Sequence, residues 1–301
     1  MRRTLTLPLP YPDENCYSVL CRFAEKRGWQ STHQVCLELF GHNQPLAGYV
    51  YKPFRKQDFD RWQEGIKLPY RYGAVHSCYP YFSVFLAYTD ACLLRSCADG
   101  SILTAGQEKR ISRKCGFAKI RKKHFWYCPE CAISDFAIYG ETYWRRLPQM
   151  PGVSYCPAHK VRLKESGVSF EDANYRFIPA NYAMEHIREP ETDVSGNVFE
   201  TEFLRIAEDT QWLLNHGFDL PDSDTVLARV YADSEGRAGP VPIYVHSETT
   251  DKEKRDFSHY LAIRVMKETG RQSIDEAIQM YLGRILMIEK GYGNMENFFA
   301  S

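Results

Sequence analysis

Apolar residues recur at three-to-four spacing early in the chain, where Val19, Leu20, Phe23 and Ala24 make one stripe that ends at Gly28. Asp13 stands where a side-chain oxygen would cap that helix. Ser31 is placed to cap a second helix, which would bury Val35, Cys36, Leu39 and Phe40 and stop at Gly41. Two short helices joined at Gly28 and Trp29 form a helix-turn-helix candidate, although most helical hairpins pack without reading DNA. Residues 45–75 read as irregular apart from a helix over 56–66, and the aromatic, apolar run 79–94 predicts a buried helix. A later helix starts at Thr201, buries Phe203, Leu204, Ile206, Ala207, Leu213 and Leu214, and is stopped by Gly217 and Pro221. Asp222 caps another through Val226, Leu227 and Val230, and after a break at 236–242 helices resume over 257–268 and 274–290. The last pair is a second helix-turn-helix candidate, with Arg271, Gln272 and Ser273 where base edges are contacted; a packing bundle fits the pattern equally well.

Between these helical regions the pattern gives way to ligand chemistry. Cys128-Pro129-Glu130-Cys131 and Cys156-Pro157-Ala158-His159 are two knuckles of the form Cys-x2-Cys and Cys-x2-His, which together offer a tetrahedral zinc site. Each begins Tyr-Cys-Pro, so a proline with fixed φ follows the first ligand where the chain turns back toward the metal. Cys128, Cys131, Cys156 and His159 fill the shell and leave no position for an activated water, so the expected role is a structural zinc ion. The 24-residue spacer between Cys131 and Cys156 is longer than usual, and it holds the run from Tyr139 to Arg146. Within it Glu141 is expected to pair with Arg145 or Arg146, and Tyr143 and Trp144 to pack the zinc unit against its neighbour.

These residues resemble a known family. Tyr127 to Cys131, Tyr139-Gly-Glu-Thr-Tyr-Trp-Arg-Arg146 and Pro151 to His159, with Pro10 to Glu14, Ser18 to Arg22 and Gly28 upstream, are similar to the TniQ/TnsD family of bacterial transposon target-site selectors. Gly116, followed by basic residues up to the first knuckle, fits as well, and the likeness covers about residues 8–165. The chain departs from the family at Leu147-Pro148, where members often carry a histidine. The resemblance implies a protein without catalytic residues that binds double-stranded DNA, marks an insertion site and recruits an AAA+ ATPase regulator, which in turn engages the transposase. It also implies an alternative, an adaptor that bridges an RNA-guided CRISPR effector to the regulator with little DNA reading of its own.

Composition and charge narrow the picture further. With 301 residues, 44% of them apolar, the chain can bury two or three small cores. It carries no run of 18 apolar residues and no leader-like segment, so the expectation is a cytoplasmic protein with no membrane partner and reduced cysteines. Lys109, Arg110, Arg113, Lys114, Lys119, Arg121, Lys122 and Lys123 put eight cations into fifteen residues with no acid among them, the densest phosphate footprint in the chain. Interleaved Phe117, Ile120, Phe125 and Trp126 suggest a folded element presenting them, such as a strand into the zinc unit. Against this, 38 basic residues balance 38 acidic ones. Glu185, Glu189, Glu191, Asp193, Glu200, Glu202 and Glu208 form an acidic stretch suited to solvent or a basic protein partner.

Other residues read more plainly. Cys16, Cys21 and Cys36 belong to helical apolar faces, and His76, Cys78, Cys92 and Cys97 have the spacing of a helix face rather than a knuckle. Cys115 and His124 are the substitutes should one of the four ligands be wrong. No phosphate-cradling glycine loop, His-Glu-x2-His or Gly-x-Ser-x-Gly occurs, which argues against an enzyme. The expected fold is mainly α with a small zinc-stapled α+β unit. Its layout is a helix-turn-helix-like domain over 1–108, the basic segment and zinc-finger or ribbon-like domain over 109–168, and a helical region over 169–301.

Overall fold

The computed structural model describes residues 7–28, 31–54, 72–83, 88–98, 104–114, 122–150, 152–184 and 198–219. The expected helices over 56–66 and beyond 220, including the second helix-turn-helix candidate, lie outside them, as does Trp29 in the first. The architecture is mostly helical with a two-stranded sheet. Among the described residues no helix is long and apolar enough to cross a membrane.

Helix α1 spans Cys16–Lys26 and buries Val19, Leu20, Phe23 and Ala24 as its stripe requires. Its cap is Asn15 rather than Asp13: the Asn15 side-chain oxygen accepts the Ser18 amide at 2.9 Å. Asp13 lies before the helix at φ 60° because its carboxylate is taken by Arg146, 2.9 Å away. Helix α2, Thr32–Phe40, buries the four expected residues and stops at Gly41, whose φ of 79° is left-handed and suits glycine. Ser31 occupies its N-cap position without a side-chain cap bond. The run expected as one helix over 79–94 is represented by α4, Tyr79–Ser83, and α5, Tyr88–Ala98, after a short α3, Tyr72–His76.

Helix α6, Ala105–Lys114, opens with a capping box in which the Thr104 amide donates to Gln107 Oε1 at 2.9 Å and the Gln107 amide to Thr104 Oγ1 at 3.3 Å. The first half of the basic run is therefore helical, and the expected strand leading into the first knuckle follows it as β1. Strand β1, His124–Tyr127, pairs antiparallel with β2, Lys164–Ser169, in the register Tyr127↔Lys164, Trp126↔Glu165 and His124↔Ser169, with a bulge between the last two. Helix α7, Pro129–Tyr139, fills the spacer after the first knuckle. Helices α8, Phe170–Tyr175, and α9, Ala180–Met184, follow β2, and α10 runs Val198–His216, starting earlier than Thr201.

The buried apolar residues form one cluster from Leu7 to Leu214, which crosses both expected domain boundaries. At its centre Phe125 of β1 stacks on Phe170 at 4.4 Å and packs on Trp144 at 4.8 Å and Tyr17 of α1 at 5.4 Å. Trp144 is fully buried, donating its amide to Ser18 Oγ at 3.0 Å and its indole N–H to the Ile178 carbonyl at 2.9 Å. The spacer is thus part of the core, which explains its length. Asn15 N–H donates to Trp144 O at 3.0 Å and Arg146 N–H to Asp13 O at 2.8 Å, so residues 144–146 zip onto residues 13–15.

Charged side chains reinforce this seam. Arg146, 2% exposed, donates to Asp13 Oδ1 at 2.9 Å, to the carbonyls of Ser77 at 2.8 Å and Leu214 at 3.4 Å, and to Asn215 Oδ1 at 3.3 Å. Glu141 does not pair with Arg145 or Arg146. It accepts from Tyr11 Oη at 2.6 Å, Arg22 Nε at 3.1 Å and Lys26 Nζ at 3.2 Å, because α1 lies against the start of the spacer. Glu14 is fully buried and accepts from Arg22 Nη1 and the Tyr11 amide, both at 2.8 Å; burial nevertheless raises its pKa to about 7.

Two outcomes follow. Arg146→Ala removes the charged partner of Asp13 and the donor to three further acceptors, and should cost about 3–5 kcal/mol in urea unfolding; a loss below about 1 kcal/mol would contradict the role given to this residue. Glu14 binds its proton more tightly folded than unfolded, so its contribution to stability is full below about pH 4.5 and is lost as pH rises through about 7. Relative to Glu14→Gln, the native chain should lose stability across that window by at most ~1.4 kcal/mol per pH unit. A pH-independent difference between the two would refute it.

Candidate metal centre

The first knuckle is built by a helix start. Cys128 is the N-cap of α7, with extended backbone at φ −95° and ψ 123°, and Pro129 follows at the first helical position, where a missing N–H costs nothing. Cys128 Sγ accepts the Cys131 amide at 3.4 Å, which brings the second sulfur onto the same side of the first turn. Unpaired amides and the helix dipole there favour negative sulfur. The second knuckle is a tight turn between paired extended segments, with Tyr155 bridged to Arg162 and the Cys156 amide donating to Val161 O at 2.8 Å. The Lys160 amide closes the turn onto Cys156 O at 2.7 Å, with Lys160 at φ 57°.

Together these place Cys128, Cys131, Cys156 and His159 with their ligand atoms within 4.8 Å of one another. Cys131 and Cys156 sulfurs are 3.7 Å apart, and His159 Nδ1 lies 3.6, 3.3 and 3.6 Å from the sulfurs of Cys128, Cys131 and Cys156. A tetrahedral zinc with bonds of about 2.3 Å to sulfur and about 2.0–2.1 Å to nitrogen has edges of about 3.8 Å between sulfurs and about 3.6 Å from sulfur to nitrogen. The one sulfur–sulfur distance and the three sulfur–nitrogen distances above lie close to these values, so the four residues could hold a metal ion of this kind. Cys128 and Cys156 are buried, Cys131 is half-buried and His159 is exposed. Hydrogen bonds from Cys128 and Cys131 hold the Cys156 thiol far below its usual range, while the same sharing pushes Cys131 up. A metal held by these sulfurs would bind them as thiolates and release their protons.

Around the centre, Arg145 donates twice to buried Asp135 of α7, at 2.6 and 3.2 Å, and lies 4.8 Å over the Tyr143 ring. Gln149 ties the spacer to β1, accepting the Trp126 amide at 3.0 Å and donating to Trp126 O at 2.8 Å. The possible substitute ligand His124 pairs instead with Glu165 across the sheet, and Cys115 lies outside the described residues. His76 is buried and donates to Glu14 O at 2.9 Å, and the Cys78 thiol donates to Val50 O at 3.6 Å, so both have partners of their own. Cys16, Cys21 and Cys36 are buried in the core as expected.

The cations of the basic run are dispersed. Lys109, Arg110 and Arg113 are exposed along α6 while Ile111 is buried beneath them, and Arg110 reaches Asp90 at 2.6 Å. Lys114 ends that helix, Lys119 and Arg121 lie outside the described residues, and Lys123 is exposed. Lys122 corrects the sequence reading. Its ammonium is buried, donating to Pro148 O at 2.7 Å and Val153 O at 2.5 Å and lying 4.7 Å from the Trp126 ring, and burial lowers its pKa to about 7. It braces the chain between the knuckles and has no surface to offer a phosphate.

Fold and centre define a mostly helical protein whose two knuckles are joined through its own core. The TniQ family model matches residues 5–163, from the segment before α1 to the end of the second knuckle, and the chain belongs to the TniQ family. It is also 26% identical over 165 residues to transposon Tn7 transposition protein TnsD of Escherichia coli, an alignment covering 50% of this chain and 30% of that protein. The chain therefore matches less than a third of that relative's length.

Cys156→Ser removes a buried ligand. The variant should bind less than stoichiometric metal by elemental analysis and melt on the order of 10 °C lower than the metal-loaded chain. Full metal content with an unchanged melt would show that the four residues do not form a structural centre.

Proposed function

We propose that this chain is a DNA-binding target-site selector of a transposon. In this reading it engages duplex DNA, recruits an AAA+ ATPase regulator and, through it, brings the transposase to the insertion site. The observation that carries the proposal is the TniQ match over residues 5–163, supported by the likeness to a Tn7 transposition protein. Chemistry agrees with it. Four protein side chains would complete a tetrahedral shell, so a zinc ion held by them would be structural and would activate no water. The strand-transfer chemistry then belongs to the partners.

Helix α6 is the surface we propose for DNA, because its capping box and buried Ile111 fix the helix while Lys109 and Arg113 face solvent, with Arg110 paired to Asp90 beside them and Lys123 exposed beyond. Each such cation that meets a phosphate releases condensed counterions and makes affinity fall with salt. The acidic residues after 185 suit a basic surface on a protein partner.

Fluorescence anisotropy of the full chain with labelled duplexes, one carrying a candidate insertion site and one scrambled, tests this across a salt series. The expected result is binding whose log affinity falls against log salt by about 0.9 per phosphate contacted. No binding near physiological salt would overturn direct DNA engagement and leave the adaptor to an RNA-guided effector as the surviving reading.

A further inference from the structure

The second knuckle carries cations that its own fold leaves facing outward. From Lys160 to Lys164 exposure alternates: Lys160 and Arg162 are exposed, Val161 is half-buried and Leu163 is buried. The alternation is the two-residue period of an extended segment, fixed here by the Tyr155–Arg162 bridge and the bond from the Leu163 amide to Ser154 O at 2.8 Å. Val161 and Leu163 face the core, so Arg162 between them points the other way, and Lys160 is exposed in the turn that precedes them. Lys160 also occupies the left-handed region at φ 57°, where glycine or asparagine is the usual occupant and a lysine is uncommon.

The surrounding charges sharpen the contrast. Arg22 is held by Glu14 and Glu141, Arg145 by Asp135, Arg146 by Asp13, and Lys122 by two carbonyls. Lys160 and Arg162 make no ion pair among the described residues. Glu165 is paired with His124, and Glu208 of α10 lines a groove together with Pro157 and Ala158.

We propose that Lys160 and Arg162 form a phosphate-contacting edge for duplex DNA, set on the knuckle by the metal centre itself. The proposal deepens the DNA-binding reading and rests on it. The centre fixes His159, Lys160 follows in the turn it closes, and Arg162 is two residues on along a paired segment, so both charges sit on rigid backbone. Rigid placement of cations suits a regularly spaced phosphate backbone and needs no base recognition. The edge adds to α6 a second point of contact in a different part of the fold, one that fixes orientation on the duplex rather than sequence.

The test is the salt dependence of duplex binding by the metal-loaded full chain and by Lys160→Asn/Arg162→Gln, with metal content and circular dichroism measured on both. Asparagine tolerates the left-handed backbone, so the knuckle is retained. If the edge meets phosphate, the slope of log affinity against log salt falls by about two units while metal content and spectrum stay unchanged. If the native chain binds and the variant keeps the native slope, the edge does not touch DNA and its charges serve another surface, such as an acidic protein; the proposal is then wrong while the functional reading stands. If the variant loses metal, the cations support the thiolates and the proposal is equally wrong. If the native chain itself fails to bind duplex, the functional reading falls and takes this edge with it.

Discussion

A guanidinium held away from water decides how distant parts of this chain meet. Burying an unpaired cation costs several kcal/mol, so Arg146 can occupy its site only while its partners are in place. Those partners come from the segment before α1, the turn between α3 and α4, and the end of α10. Leu214 O is one of the carbonyls that a helix end leaves without an intrahelical donor, and Arg146 supplies a charged one. Its backbone amide meanwhile donates to Asp13 O. The same residue thus ties the beginning and the end of the described core to the spacer between the two knuckles.

That arrangement changes what the metal centre is. In an isolated zinc finger the loop between ligand pairs is free, and metal binding must offset its closure entropy. Here the loop leaves α7 at Gly140, with φ 74°, passes through the Glu141 network, zips along residues 13–15 and is fastened to β1 by Gln149 before it reaches Cys156. The protein core has already brought the knuckles near each other, so less of the binding free energy is spent on closing the loop. What the core does not determine is the last few ångströms between three sulfurs and a ring nitrogen. A metal ion shared by the four side chains would fix those distances and hold the sulfurs as thiolates.

Much of this was legible in sequence where the governing interactions are local. Two Tyr-Cys-Pro starts with correct ligand spacing identify the centre because a knuckle is a property of four consecutive residues. The faces of α1 and α2 and the stop at Gly41 follow from periodicity and left-handed backbone. Where tertiary partners compete, local reading fails. Asp13 is a good cap by type, but a buried arginine outbids the helix for its carboxylate and Asn15 takes the role. Glu141 has two arginines four and five residues away, yet α1 brings Arg22 and Lys26 closer. Lys122 looks like its neighbours in a cationic run, and only the carbonyls of Pro148 and Val153 mark it as an interior residue. The outward edge at Lys160 and Arg162 did carry a signal, the alternation with Val161 and Leu163, which the denser run before it overshadowed.

The balance of 38 basic and 38 acidic residues bears less on nucleic-acid contact than it first suggests. At physiological ionic strength a charge is screened beyond about 8 Å, so a phosphate responds to the few cations beneath it and hardly to the total. Ion pairs inside the fold offset one another: Arg22 with Glu141, Arg145 with Asp135 and Arg146 with Asp13 contribute little to the field at a distant surface. What such pairing leaves is position. Cations left outside the core, such as Lys109 and Arg113 on α6 and Arg162 after the second knuckle, keep their charge at the surface. A chain of zero net charge can therefore present a locally basic face, and the folding rules that bury Ile111 and Leu163 are the ones that expose it.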